Sequence, residues 1–159
     1  MGPRLSSYIP ESNVTLETCL NESINENFVF ANITPKIILE TVSKLKPKNS
    51  SGKDNIFTKL VKEIIDCIDY PTAHLFNLFL KTGYIPSEYK CAKIIPIFKA
   101  DEKDKFNNYR PISILPVLSK LLEKIAAIQM FRYLKKFNIF YEHQYGFRPK
   151  HNTNQPLTY

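Results

Sequence analysis

Apolar positions recur at helical spacing along most of this chain, and one short stretch has the density of a strand. Thr34-Pro35 reads as a helix start, with Thr as the cap and Pro at the first helical position. Ile37, Ile38, Val42 and Leu45 follow at helical spacing, and Pro47 is expected to end the helix. Lys46 to Asn55, KPKNSSGKDN, has the composition of a turn. A second helix is expected to carry Ile56, Phe57, Leu60, Val61, Ile64, Ile65 and Ile68 inward. A third is expected after Pro71, with Leu75, Leu78 and Phe79 inward and Gly83 stopping it. Cys91–Phe98 then reads as a strand, which Pro96 assigns to an edge or a bulge. Lys99–Asn108 is turn-like, and Tyr109–Leu115 is expected to return as the second strand of a hairpin. Leu118, Leu121, Leu122, Ile125 and Ile128 mark a long amphipathic helix reaching Leu134, with Lys135 and Lys136 at its cation-favouring end. The pattern predicts an α+β fold, mostly helical, with one small antiparallel β-ribbon. Residues 1–33 are polar, Asn-rich and weakly periodic, so a separate, weakly structured segment is expected there, with residues 34–159 as the folded body.

Composition sharpens this picture at a few points. Four glycines against 11 prolines favour helices broken by fixed turns over a Gly-rich barrel. The net charge is +7, unevenly spread: residues 1–40 carry two basic and five acidic side chains, which leaves +10 on residues 41–159. A basic body suits RNA or DNA. Cys19, Cys67 and Cys91 are odd in number and far apart, giving neither a disulfide framework nor zinc spacing. A reducing intracellular compartment, cytoplasm or nucleus, is expected. No apolar run approaches the ~18 residues of a membrane span, so no membrane partner is expected.

Candidate chemistry concentrates in two places. Lys99 ends the first expected strand and Arg110 begins the second, so a hairpin brings the two cations near each other. Such a pair can hold phosphate oxygens, Lys as a point charge and Arg as a planar fork. Asp101 and Asp104, between them, have no apolar flank or fixed partner and read as surface. The second place is Gln144-Tyr145-Gly146-Phe147-Arg148, where Gly allows a close backbone approach or an unusual dihedral. An aromatic there could stack on a base while Arg148 meets a phosphate. His74, His143 and His151 lack partners for metal or nucleophilic chemistry, and no GxxxxGK or GxGxxG sequence occurs.

Four pieces, SSGKDNI at 50–56, LFNLFLKTGYIPSEYKCAKIIPIFK at 75–99, NYRPISIL at 108–115 and QYGFRPKHNTNQPL at 144–157, occur in an order and spacing that resemble the amino-terminal part of a LINE-type, non-LTR retrotransposon reverse transcriptase. The resemblance covers roughly residues 35–159 and implies the entrance and fingers of a right-hand polymerase. It implies that Lys99 lies near the phosphates of the incoming nucleotide and that Arg110 clamps the triphosphate. Ile112 would shape the nucleotide–template pocket. Gln144, Gly146, Phe147 and Arg148 would form a template-side element. Asn55 and Asn152 depart from the family pattern, which commonly has Gly and Ser there. No YxDD sequence is present and no first catalytic Asp can be assigned, so the palm is expected to be missing and no catalytic or metal residue is assigned. The parent activity would be RNA-directed DNA synthesis, expected to be inactive in this chain. Mg²⁺ and dNTP are expected for the complete enzyme and no cofactor for this chain. RNA or DNA are its expected partners, together with association through apolar surface left open by the missing palm. The alternative is a non-enzymatic nucleic-acid-binding module.

Overall fold

A computed structural model describes residues 26–140 and Gly146. Residues 29–132 form one compact unit. Within it lie helices α1 (Pro35–Ser43), α2 (Thr58–Thr82) and the one-turn α3 (Ser87–Lys90). Strand β1 (Lys93–Phe98), a 3₁₀ turn (Phe106–Asn108) and strand β2 (Tyr109–Ile114) follow, then α4 (Val117–Lys136), whose last turn runs beyond the unit.

The expected cap of α1 forms. Thr34 is extended, and its hydroxyl accepts from the Ile37 N–H, with Pro35 opening the helix. Ile38, Thr41 and Val42 are buried, and the Thr41 hydroxyl donates to the Ile37 carbonyl at 2.7 Å, so its burial leaves no orphan polar group. The helix stops at Ser43, before Pro47 is reached.

The two helices expected on either side of Pro71 are one helix of 25 residues. Pro71 removes a single N–H, whose acceptor would be the Cys67 carbonyl. Packing on both sides of the break, from Val61 and Ile65 before it and Thr72, Ala73, Phe76 and Phe79 after it, holds the helix continuous. Gly83 ends it as expected, in the left-handed conformation (φ 69°), with its N–H on the Phe79 carbonyl at 2.9 Å. The inward face differs from expectation. Leu75 and Leu78 are exposed, as are Phe57, Leu60 and Ile64, while Phe76 is wholly buried.

The core joins these faces to α4: Ile38 and Val42 from α1, Val61, Ile65, Ala73, Phe76 and Phe79 from α2, and Val117, Leu121, Leu122 and Ile125 from α4. Ile33 is its twelfth member, only 1% exposed, although the sequence pattern places it in the weakly structured segment. Two side-chain amides hold this stretch. Asn77 accepts from the Ile33 N–H at 2.7 Å and donates to the Ile33 carbonyl at 2.8 Å. Gln129 does the same for Ala31, at 2.7 and 3.1 Å. Each amide substitutes for the neighbouring strand that an extended backbone would otherwise need. Residues 29–33 therefore pack with the helices, inside the compact unit that begins at Val29. Residues 1–25 lie outside the described residues.

The described part of the second unit is small. Tyr133 donates to the Glu26 carbonyl and stacks edge-on against Phe28, with ring centroids 5.3 Å apart. Lys136 pairs with the Glu26 carboxylate at 2.8 Å, both side chains being largely exposed, which limits the pair's contribution.

Candidate nucleic-acid interface

β1 and β2 form an antiparallel ribbon with Lys93 opposite Ile114, Ile95 opposite Ile112, Pro96 opposite Pro111 and Ile97 opposite Arg110. The Lys99 N–H donates to the Asn108 carbonyl at 2.8 Å, which extends the pairing one step past the strands. Hydrogen-bonded and non-bonded pairs alternate along an antiparallel ladder, so Pro96 and Pro111 fall on a non-bonded pair. Their ring nitrogens then lie on the two outer edges, where a missing donor interrupts no ladder bond and blunts both edges against a further strand.

The period of two sorts the side chains. One face carries Ile94, Pro96 and Phe98 with Tyr109, Pro111 and Ser113. Phe98 and Tyr109 meet edge-to-face at 5.5 Å, Lys103 lies over the Phe98 ring at 5.7 Å, and the Tyr109 hydroxyl donates to the Lys103 carbonyl at 2.8 Å. These contacts fold the connecting loop onto that face. Asn108 adds a bond to the Glu102 carbonyl at 2.7 Å.

The opposite face carries Lys93, Ile95, Ile97 and Lys99 with Arg110, Ile112 and Ile114. All three candidates of the hairpin, Lys99, Arg110 and Ile112, therefore share one face. Lys99 and Arg110 are diagonal neighbours, a relation that places Cα atoms about 7–8 Å apart. Ile95, Ile97 and Ile112, at 38%, 51% and 44% exposure, form an open apolar floor beside them. Neither cation forms an ion pair or side-chain hydrogen bond with a described residue. Asp101 and Asp104 are exposed in the loop, Asp101 with a positive φ of 71°. Lys93, Ile95 and Ile97 were missed as members of this face. The alternation that assigns Lys99 to it would have found them.

Gly52 connects two of the matched pieces. A Cβ there would lie 2.7 Å from the Pro116 nitrogen and 3.0 Å from the Leu115 carbonyl carbon, so only glycine lets the Ser51–Phe57 loop close against the joint between β2 and α4. In the same loop Asn55 adopts a left-handed φ of 58°, where Gly is the default and Asn the next best choice. Asp54 accepts from the Ile56 N–H at 3.2 Å and shapes the turn.

A cleft of about 230 Å³ lies between α3 and α4, lined in part by Ile85, Tyr89, Leu115, Ser119 and Leu122. Burial pushes the Tyr89 phenol above its ordinary value, and the Ser119 hydroxyl is buried without a hydrogen-bond partner among the described residues. Gln144, Phe147 and Arg148 lie outside the described residues, as does Asn152. Gly146 is itself described, and a Cβ there would meet nothing within 4 Å among the described residues.

No protein-family model matches the chain. The RNA-directed DNA polymerase from mobile element jockey of Drosophila funebris is 30% identical over 156 residues, 95% of this chain and 17% of the relative. The probable RNA-directed DNA polymerase from transposon BS of Drosophila melanogaster is 34% identical over 118 residues, 73% of this chain and 13% of the relative. This chain is a relative of the LINE-type, non-LTR retrotransposon RNA-directed DNA polymerases. A third such polymerase, a probable one from transposon X-element of Drosophila melanogaster, is 29% identical over 140 residues, 87% of this chain and 15% of that protein. The chain thus spans less than a fifth of these retrotransposon polymerases. Among the described residues no three His, Cys, Asp or Glu side chains are grouped to hold a metal ion. No described helix is long and apolar enough to cross a membrane.

Proposed function

We propose that residues 29–132 are a fingers-like element of a retrotransposon reverse transcriptase, and that the Lys99–Arg110 face of the ribbon holds the phosphates of a nucleotide or nucleic-acid strand. The observation that carries this reading is the register, which gathers on one face an open apolar floor and two cations that pair with no described residue. Arg110 offers a planar fork for two phosphate oxygens, and Lys99 adds a point charge that can follow the anion. Ile112, with Ile95 across the ribbon, gives a base or sugar an apolar surface. Gln144, Gly146, Phe147 and Arg148 are proposed as the template-side complement. Phosphates held this way are positioned and partly neutralised, but phosphoryl transfer also needs carboxylate-bound metal ions. The 159 residues by themselves are therefore proposed to bind without extending a primer, and Mg²⁺ chemistry is assigned to the complete enzyme.

The test is a titration of the purified chain with dTTP and with thymidine at low salt. Binding should require the triphosphate. Lys99→Gln with Arg110→Gln should weaken it at least about tenfold, while Asp101→Asn with Asp104→Asn should not. Equal binding of thymidine, equal losses from the two pairs, or template-dependent primer extension by the pure chain would each overturn the reading.

A further inference from the structure

The densest charge in the described structure is not on the ribbon. Between Lys44 and Lys62 the sequence carries six lysines against one aspartate, Asp54. Asp54 already accepts from the Ile56 N–H. Lys44, Lys46, Lys48, Lys53 and Lys59 are all exposed, and none forms an ion pair with a described residue. The fold gathers them. The sixth lysine, Lys62, donates to the Ser43 carbonyl at 3.1 Å and draws the second turn of α2 to the end of α1. The Ser51–Phe57 bridge closes the loop, with Lys53 inside the turn that the Asn55 N–H completes on the Gly52 carbonyl at 3.3 Å. Five charges thus occupy one end of the α1–α2 pair. Phe57 stands among them, between Lys53 and Lys59, with 43% of its surface exposed.

We infer that this loop is a binding surface for single-stranded nucleic acid, separate from the ribbon face and standing without the reading given to Lys99 and Arg110. Clustered cations that outnumber the one carboxylate among them attract any polyanion. The exposed aromatic selects among them, because a single strand offers unpaired bases that can stack on a ring. Asn49, Ser50 and Ser51, in the approach to the turn, add neutral groups able to hydrogen-bond phosphate or base. Gly52 lies against Leu115–Pro116, so the loop is fixed at the base of the ribbon rather than hanging free. β2 covers about 17 Å between that joint and Arg110. A strand of a few nucleotides leaving the loop along the ribbon therefore reaches the second set of cations.

The experiment uses the full chain and a fluorescein-labelled 12-nucleotide oligouridylate, with anisotropy read across a salt series. Inorganic polyphosphate serves as the anion without bases. Replacing Lys46, Lys48 and Lys53 by Gln should lower the slope of log affinity against log salt by about 2, at about 0.7 per phosphate contact. The matching Arg variant should keep the slope, since it keeps the charge. Phe57→Leu should weaken oligouridylate at least about fivefold and leave polyphosphate unchanged. An unchanged slope in the Gln variant overturns the inference, and so does an equal loss on both anions from Phe57→Leu. Losses confined to Lys99→Gln with Arg110→Gln would remove this surface and leave the ribbon reading standing. Losses confined to the loop variants would do the reverse.

Discussion

Gly52→Ala is the sharpest single probe of how the matched pieces fit together. The added methyl would meet the Pro116 nitrogen at 2.7 Å, the Pro116 Cα at 2.9 Å and the Leu115 carbonyl carbon at 3.0 Å. All three are backbone atoms, so no side-chain rotation can relieve the clash, and either the loop or the β2–α4 joint must shift. Overpacking of this kind costs about 1–3 kcal/mol. Alanine also restricts the unfolded chain, which returns roughly 0.4–1 kcal/mol where the backbone conformation suits it. Gly52 has no positive φ, so that favourable term applies. The net loss should centre on about 1.3 kcal/mol, within roughly 0–2.6 kcal/mol, which lowers a urea midpoint by roughly 0.6 M. The assay is urea unfolding followed by circular dichroism, together with amide chemical shifts of Leu115 and Val117, which flank the clash. An unchanged or raised midpoint with unmoved Leu115 and Val117 amides would refute the reasoning, because the close approach would then be absent.

Two further expectations follow from the packing. Asn77→Ala removes both hydrogen bonds to the part-buried Ile33 backbone and should cost about 1–3 kcal/mol, with faster hydrogen exchange at Ile33; unaltered exchange there would show that the amide does not hold the segment. Burial raises the Tyr89 phenol above the ordinary tyrosine value of about 10, so at alkaline pH the folded state retains its proton more firmly than the unfolded state. The resulting stability is complete below about pH 10 and is lost as pH rises through the folded value. Tyr89→Phe should flatten that decline in urea midpoints measured from pH 9 to 11, and parallel curves for the two chains would count against it.

What the sequence made legible was local. The Thr34 cap, the Gly83 stop and the hairpin each depend on chemistry within a few residues, and each was readable from composition and spacing. Lys99, Arg110 and Ile112 could be grouped because a period of two needs only the register of one ribbon. What was not legible depended on distant partners. Nothing near Ile33 announces a buried residue, since its backbone bonds come from Asn77, 44 positions away, and its core partners lie on the helices. Nothing near Gly52 announces Pro116. Pro71 is a helix breaker by every local rule, and packing on both sides of it overrides that preference.

The misread face of α2 has a simpler cause. Leu60, Ile64, Leu75 and Leu78 are exposed, and each immediately precedes a buried residue: Val61, Ile65, Phe76 and Phe79. One residue is 100° around a helix, so α2 carries two parallel apolar stripes about a quarter-turn apart. Periodicity finds both and cannot rank them. Shape can. The buried stripe includes Thr72 and Ala73, which are small enough to let neighbouring elements close on the helix. Beside them is Phe76, the largest of the fully buried side chains. On the exposed stripe Cys67 and Pro71 stand one position before Ile68 and Thr72, and Pro71 interrupts the backbone bonding there. The local features that separate the two stripes are Pro71 on the exposed one and the close-packing Ala73 and Phe76 beside the buried one.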